Sequence, residues 1–326
     1  MKLQILVPQY KETREEIKPL LDSLAIQQNV DFNELGIIIT NDGSDTLLDE
    51  EWLTSYPFKV EYYKAPHQGV SATRNYCLDK ATADYVMFCD ADDMFYNACG
   101  LWILFREIEN GGFNALISVF IEESRMPETK EITYINHEHD ATFVHGKVYK
   151  RQYLIDEEIR FNPDLTIHED SYFNFLAQHI SSPDKVKICM SPFYLWRWRD
   201  NSVCRHDPKY ILKTYNNMLD SSTALVNELV SRRKKGAAEE VVTGMIMDAY
   251  FTMNKDEWIN QENKEYRDKT EKRFKEYYLK FKKLFDGIDK QKKTQIIMGI
   301  KNRMYMEGLV MESITFDDWI EEVMKW

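Results

Sequence analysis

A short apolar run that ends in acidic residues places the tightest limit on how this chain can fold. Tyr85–Phe88 is apolar and is followed directly by Cys89-Asp90-Ala91-Asp92-Asp93. Four apolar residues bounded by polar ones are typical of a buried strand, and carboxylates at its end hold oxygen ligands at a rigid edge. Such ligands suit Mg²⁺ or Mn²⁺, and these cations in turn suit a diphosphate. The run therefore predicts a nucleotide or sugar-nucleotide site rather than a protein-binding surface.

Further apolar runs in the first half of the chain alternate with helical patterns. We predict strands over Leu3–Val7, Leu35–Thr40, Val60–Tyr63, Tyr85–Cys89 and Ala115–Ile121, and helices over Thr13–Gln28, Val70–Lys80 and Asn97–Asn110. This alternation favours βαβ units and hence a Rossmann-like α/β fold, a mostly parallel sheet flanked by helices. Ligands of such sheets gather at the carboxyl ends of the strands. Three polar motifs fall at these ends: Pro8-Gln9-Tyr10, Asn41–Asp45 and Asp90–Asp93.

The length of the chain and a change in its composition after residue 208 predict two domains. The chain has 326 residues, which is more than a single small core normally holds. After Asp207-Pro208 glycine and proline become scarce, and long amphipathic patterns continue to Trp326. We therefore predict one domain over residues 1–206 and a helical C-terminal domain over residues 207–326.

Composition and charge argue against several classes of protein. Hydrophobic residues make up 44% of the chain, enough for a large core, and no stretch approaches the roughly 18 to 20 apolar residues of a membrane span. The first apolar run is too short for a signal peptide, and five irregularly spaced cysteines favour a reducing compartment. We expect a cytoplasmic protein, at most peripheral at the membrane. The net charge of −12 opposes broad binding to nucleic acid, although nine Lys or Arg against four Asp or Glu in residues 271–293 leave a basic patch open.

Four motifs keep the order and spacing of family 2 glycosyltransferases, which have the GT-A fold. These motifs are Val7–Tyr10, Asn41–Ser44, Gly69–Asn75 and Phe88–Asp93. Taken singly, the second is compatible with an ordinary turn and the third with an exposed helix start. Together they make the chain resemble this family over about residues 1–205. Lys11 departs from the asparagine that the family usually has, and Glu12 follows as expected.

The resemblance implies that residues 1–105 bind a nucleotide sugar, which we expect to be a UDP-sugar. Tyr10 would pack against the base, Asp42 would read its edge and Arg74 would lie near the phosphates. Asp90 would lie near the ribose or the metal, and Asp92 would be the direct ligand of Mn²⁺ or Mg²⁺. The full set of expected donor-binding residues is Pro8, Tyr10, Glu12, Asp42, Arg74, Asp90, Ala91, Arg199, Ser202 and Arg205.

A downstream segment resembles the part of the family that carries the catalytic base. Arg160–Leu165 is followed by His168-Glu169-Asp170, and the aspartate of the family's Glu-Asp pair is the usual base. Asp170 is therefore the candidate base, and Glu169 would orient it or touch the acceptor. One carboxylate must take the proton of the acceptor hydroxyl as that oxygen attacks the anomeric carbon. Acids at this position could also simply satisfy a helix dipole.

The segment Trp196–His206 resembles the closing segment of the family, which bears arginine and serine. We also predict an aromatic strand over Phe193–Arg199. Arg199, Ser202 and Arg205 would meet the diphosphate as it departs. His206 would complete the metal shell, although a lone histidine is more often a surface or satisfied residue.

As a whole, the resemblance implies a metal-dependent, inverting transfer of a sugar to a hydroxyl acceptor. Residues 106–206 would hold the acceptor, which could be a cell-envelope glycan, a lipid-linked sugar or another polymer. Three alternatives remain: transfer to hydroxylated bases of modified DNA, a nucleotidyltransferase that forms sugar nucleotides, and a non-catalytic nucleotide-sugar binder. The nucleotidyltransferase is disfavoured because residues 8–12 lack the expected glycine-rich loop. The C-terminal helices could hold the acceptor or join subunits of a homo-oligomer.

Overall fold

The structure is a computed structural model that describes residues 1–126, 129–138, 140–199, 210–306 and 315–326. The chain divides into two compact units, Met1–Ser202 and Val203–Trp326. The first unit is a sheet with helices, and the second is helical.

Strands and helices alternate through the first unit. Its strands are β1 (Leu3–Gln9), β2 (Leu35–Asp42), β3 (Lys59–Ala65), β4 (Tyr85–Phe88), β5 (Met94–Phe95), β6 (Ala115–Arg125), β7 (Ile132–His137), β8 (Lys147–Lys150) and β9 (Val186–Trp196). Its α-helices are α1 (Arg14–Ala25), α2 (Glu50–Leu53), α3 (Val70–Lys80), α4 (Gly100–Asn110), α5 (Arg151–Asp156) and α6 (Glu169–Ile180).

All of these strands belong to one sheet. Their order is β3-β2-β1-β4-β8-β6-β9-β5, with β7 paired to the outer part of β6. The first four neighbours are parallel, whereas β8 runs antiparallel to both β4 and β6. The predicted α/β class with the GT-A fold is confirmed, with a parallel first half and a mixed second half. In the parallel half the ends of β1, β2 and β4 lie at one edge, because Val7 pairs with Ile39 and Leu6 with Phe88.

Strands β1, β2 and β4 are buried on both faces, as is typical of parallel strands that helices cover on both sides. Ile5, Val7, Ile37, Ile39 and Met87 have no exposed surface. They share a core cluster with residues of α1 and α4, among them Leu20, Leu24 and Leu104. Each such side chain contributes about 1.5–3 kcal/mol on burial, so this core holds the strand ends in a fixed arrangement.

Local sequence explains where α1 and α4 begin. The predicted helix over Thr13–Gln28 starts one residue later, because the backbone N–H of Thr13 donates to Glu16 Oε2 at 2.8 Å in a capping box. The predicted helix over Asn97–Asn110 starts at Gly100, after the Asn97 side chain accepts a hydrogen bond from Cys99 N at 2.8 Å.

The aromatic strand differs from its prediction at both ends. Strand β9 begins at Val186 and ends at Trp196, so the predicted strand over Phe193–Arg199 is wrong for its last three residues. The physical reason lies at Arg197, whose backbone N–H donates to Asp93 Oδ1 at 2.9 Å instead of to a neighbouring strand. This bond takes the chain from β9 to the acidic end of β4.

The second unit consists of helices packed around α8. They are α7 (Tyr210–Ser231), α8 (Lys235–Met253), α9 (Asp256–Ile259), α10 (Lys264–Gly287), α11 (Lys290–Met306) and α12 (Phe316–Val323). Helix α8 contacts α7, α10 and α11. Two tryptophans, Trp258 and Trp319, are almost fully buried, and Trp258 Nε1 donates to Glu271 Oε1 at 3.0 Å. Across the described ranges, no helix is both long and apolar enough to cross a bilayer.

Candidate active site

The acids after β4 divide into one that points inward and two that face outward. Asp93 is 1% exposed; its Oδ1 accepts from Arg197 N at 2.9 Å and its Oδ2 accepts from the Tyr194 hydroxyl. Burial and the neighbouring charges of Asp92 and Asp90 raise the pKa of Asp93 well above its usual range. The side chains of Asp90 and Asp92 keep 33% and 22% of their surface exposed. The acidic strand end therefore has two partly exposed carboxylates, and the third, that of Asp93, also holds β9.

Arg74 joins this strand end to the acids of α6. It lies on α3 and is 3% exposed, with Nη2 2.9 Å from Asp90 Oδ1. Its Nη1 donates to Glu169 Oε1 at 3.0 Å and also to Asp170 Oδ1. Burial lowers the pKa of Arg74, but the three carboxylates raise it by more, so the net shift is upward. One permanently charged guanidinium thus gathers three carboxylates at one place.

Glu169 and Asp170 form the first turn of α6. His168, just before them, adopts a left-handed conformation with φ of 65°, which turns the chain into the helix. Burial and the charge of Asp170 raise the pKa of Glu169. The second oxygen of Asp170, Oδ2, accepts from the backbone N–H of Val144 at 3.4 Å. Asp170 is therefore held from two sides, by Arg74 and by Val144.

A second cation, Arg199, links the end of β4 to the end of β1. Its Nη1 lies 2.9 Å from Asp92 Oδ2 and its Nη2 lies 2.9 Å from Glu16 Oε1. Glu12 is also near, with Oε1 3.6 Å from Nη1, and its other oxygen accepts from Tyr10 N at 2.6 Å. Burial raises the pKa of Glu12. The predicted residues Tyr10, Glu12, Asp92 and Arg199 are thus brought together.

At the end of β2, Asp42 is bonded to the segment that precedes α3. Its carboxylate accepts from the backbone N–H groups of Gln68 at 2.8 Å and Gly69 at 3.0 Å, and lies 2.9 Å from Nδ1 of His67. The ring of Tyr10 stacks on His67 with centroids 4.6 Å apart. Tyr10 remains 42% exposed, so an aromatic surface is open at the edge where we expect the base.

A buried histidine that sequence analysis missed completes a possible metal site. Ligand atoms of Asp90, Asp93 and His145 lie within 4.8 Å of one another. His145 is 2% exposed, with Nδ1 3.7 Å from Asp93 Oδ2 and its ring stacked on Phe143 at 5.4 Å. Two carboxylates and an imidazole fit Mn²⁺ well and Mg²⁺ acceptably. No local pattern marks His145, because it follows the acids by more than fifty residues.

Of the remaining predicted site residues, the structure describes Pro8 and Ala91. Pro8 is half-buried at the end of β1, and Ala91 is buried between the two outward acids. Ser202, Arg205 and His206 lie outside the described residues. The individual roles assigned from the resemblance stay predictions, including the phosphate contact of Arg74, whose two Nη atoms are bonded to carboxylates here.

The sequence model of glycosyl transferase family 2 matches residues 4–178, which is more than half of the chain. The chain belongs to glycosyltransferase family 2. The matched range contains the acidic strand end, Arg74 and the Glu169-Asp170 pair. The predicted family and its enzyme class are therefore confirmed.

Relatives of this glycosyltransferase include two curated bacterial proteins. It is 28% identical over 191 residues to the minor teichoic acid biosynthesis protein GgaB of Bacillus subtilis, an alignment that covers 54% of this chain and 21% of GgaB. It is 28% identical over 188 residues to the poly(ribitol-phosphate) beta-N-acetylglucosaminyltransferase TarS of Staphylococcus aureus, covering 54% of this chain and 32% of TarS. The chain thus spans about a third or less of the length of these two relatives.

A solved structure supports the fold over nearly the whole chain. The crystal structure of S. aureus TarS 1-349 in complex with UDP-GlcNAc matches with a TM-score of 0.62 at 16% identity. The match covers 98% of this chain and 95% of that one. At this identity the likeness shows a common fold.

Proposed function

We propose that this family 2 glycosyltransferase transfers a sugar from a UDP-sugar to a hydroxyl group of a cell-envelope glycan, with inversion at the anomeric carbon. The observation that carries the proposal is the Arg74 cluster. It joins Asp90, from the segment expected to bind the donor, to Glu169 and Asp170, from the segment expected to meet the acceptor. A donor site and a base within one cluster are what a direct sugar transfer requires.

Asp170 serves as the general base in this proposal. Its carboxylate takes the proton of the acceptor hydroxyl while that oxygen attacks the anomeric carbon from the face opposite the nucleotide. An α-linked donor then gives a β-glycoside. Arg74 and the N–H of Val144 fix the direction of the carboxylate. Glu169, whose pKa is raised by burial, orients Asp170 or donates a hydrogen bond to the acceptor in its protonated form.

The leaving diphosphate needs positive charge. When bound, a divalent cation supplies electrostatic neutralisation of that charge, and Asp90, Asp93 and His145, or Asp92 as the family motif implies, are the residues that would hold it. Arg199 stands beside Asp92 and adds a fixed positive charge at the same strand end.

The nature of donor and acceptor rests on the relatives. TarS is solved with UDP-GlcNAc, and the open ring of Tyr10 suits a stacked uracil. GgaB is a minor teichoic acid biosynthesis protein and TarS is a poly(ribitol-phosphate) beta-N-acetylglucosaminyltransferase, which supports an acceptor from the cell envelope.

The test is a UDP-release assay with a panel of UDP-sugars, with and without Mn²⁺. Asp170→Asn should retain UDP binding in calorimetry and lose transfer by on the order of 10²- to 10⁴-fold. Asp164→Asn changes an exposed aspartate in the preceding loop and should behave as wild type. Full transfer by Asp170→Asn would contradict the assigned base.

The same assay separates the alternative activities. A nucleotidyltransferase would require UTP, and a non-catalytic binder would bind UDP-sugars without releasing UDP. Supplying hydroxymethylated DNA in place of envelope glycan tests DNA as the acceptor.

A further inference from the structure

Lys147, the first residue of β8, is a lysine without exposed surface. Its side chain is 0% exposed, whereas lysines are almost never fully buried unless they are paired. Burial lowers the pKa of its ammonium group to about 8. Withdrawing an ammonium from water is costly unless protein oxygens replace the water. The oxygens around Lys147 therefore indicate what it does.

These oxygens all belong to residues 140–146, the segment just before β8. The ammonium donates to the carbonyl oxygen of Phe143 and to that of His145 at 3.5 Å, and lies 3.6 Å from Asp140 Oδ1. Asp140 Oδ1 also accepts from the backbone N–H groups of residues 142 and 143. Lys147 thus sits inside the turn that the chain makes before it enters the sheet.

The same segment touches the candidate site. Val144 N donates to Asp170 Oδ2 at 3.4 Å, and His145 Nδ1 lies 3.7 Å from Asp93 Oδ2. A third contact fastens the segment to α6, the helix that begins with the Glu169-Asp170 pair, because Asn174 Nδ2 donates to the carbonyl oxygen of residue 142 at 2.7 Å. A shift of this segment would move groups that contact both the candidate base and the acidic strand end.

We propose that Lys147 is a positioning residue for sugar transfer. Its ammonium holds residues 140–146 in the turn that sets the N–H of Val144 against Asp170 and the imidazole of His145 against Asp93. The inference rests on the proposed function, since Asp170 is the base only in that reaction. An apolar side chain at this position would remove the donor that the oxygens of the turn share, and the turn would relax.

A positioning role and a purely structural role differ in what they predict. If Lys147 only stabilises the fold, its replacement lowers the melting temperature and leaves kcat of the folded protein unchanged. If it positions the turn, kcat falls while UDP binding measured without divalent cation, which depends on the ends of β1 and β2, is retained. A displacement of about 1 Å is enough for a rate loss on the order of 10²-fold.

The experiment compares Lys147→Met with Lys150→Met in the full chain. Methionine keeps the length and much of the volume of lysine without its charge. Lys150 lies on the same strand and is exposed, so its replacement controls for the loss of a lysine from β8. We expect Lys147→Met to lower kcat by about 10- to 100-fold with a wild-type Kd for UDP measured without divalent cation, and Lys150→Met to match wild type. Wild-type kcat in Lys147→Met would overturn the inference.

If Lys147→Met does not fold, a second variant, Asp140→Asn, tests the positioning role of Lys147. Asp140→Asn keeps the acceptor for the two turn N–H groups but removes the carboxylate beside the ammonium. A reduced kcat with an unchanged Kd for UDP measured without divalent cation supports the inference, and a wild-type kcat overturns it. Failure of the proposed function gives a different result, because the wild-type protein itself would then transfer no sugar from any UDP-sugar.

Discussion

The buried guanidinium of Arg74 and the partly exposed carboxylate of Asp90 form an ion pair, with Nη2 2.9 Å from Oδ1. The other terminal nitrogen, Nη1, bonds Glu169 and Asp170. Acids from β4 and from α6 therefore share one cation, and none of the three carboxylates moves without breaking a bond to it. The relative position of the candidate base and the acidic strand end is set before any substrate arrives.

Replacing Arg74 should damage both stability and transfer. Removing one partner of a buried ionic network costs about 3–5 kcal/mol, and we expect a loss of this order for Arg74→Met in urea unfolding. Arg74→Lys keeps the charge but has one nitrogen instead of a fork, so it should recover part of the stability and little of the transfer activity. Arg160→Met removes an arginine from an exposed pair with Asp79 and should cost less than about 1 kcal/mol. Wild-type stability in Arg74→Met would contradict the network.

Glu169 should make stability depend on pH. In the folded protein its pKa is raised from the ordinary 4.5 to about 8, first by burial and then by the charge of Asp170. The folded state therefore binds this proton more tightly than the unfolded chain does. The resulting stabilisation is fully present below the ordinary value and is lost as the pH rises through about 8. Relative to Glu169→Gln, the wild-type free energy of unfolding should fall over this range, as measured by urea titrations. Parallel curves for the two proteins would refute the raised pKa.

Two candidate ligand sets predict different effects on metal affinity. If Asp90, Asp93 and His145 hold the cation, His145→Gln should weaken Mn²⁺ binding by about 10-fold or more, measured from the spectrum of free Mn²⁺ by electron paramagnetic resonance. His137→Gln is the matched control, because His137 pairs with Glu122 on β6 at 2.7 Å and is not part of the cluster. Unchanged affinity in His145→Gln, together with a loss in Asp92→Asn, would assign the ion to Asp92.

Replacing Gly43 should weaken donor binding as well as lower the stability of the protein. Its φ is +71°, and an added Cβ would lie 2.4 Å from the backbone nitrogen of His67. Gly112 has φ of +81° with nothing within 4 Å of such a Cβ, so Gly112→Ala carries only the conformational strain of about 1–2 kcal/mol. Gly43→Ala should lose more stability in thermal unfolding and should also weaken UDP binding in calorimetry, since it displaces the segment that holds Asp42. Equal effects of the two substitutions on UDP affinity would count against this role of the segment.

Local signals account for the parts of the fold that the sequence predicts well. Helix α3 has its predicted bounds, Val70–Lys80, and strands β1, β2 and β4 start at the predicted Leu3, Leu35 and Tyr85. Each of these elements carries its apolar pattern and its end signals within a dozen residues. The capping box of Thr13 and Glu16 is also a local signal, and it would have placed the start of α1 correctly.

Contacts between distant residues account for most of what sequence reasoning missed. The three partners of Arg74 lie 16, 95 and 96 residues away along the chain, and no local pattern shows that its guanidinium is enclosed by carboxylates. The end of β9 depends in the same way on a bond from Arg197 to Asp93, more than a hundred residues earlier.

The place of β8 in the sheet has a consequence for engineering. This strand pairs with β4 on one side and with β6 on the other. It therefore joins the portion expected to hold the donor to the portion expected to hold the acceptor. A one-residue change in the pairing register of β8 would turn Lys147 and Tyr149 to the opposite face of the sheet. It would also shift the two portions relative to each other by about 3.3 Å. Chimaeras that carry the acceptor portion of another protein should therefore be joined outside residues 140–150, so that the native pairing of β8 with β4 and β6 is retained.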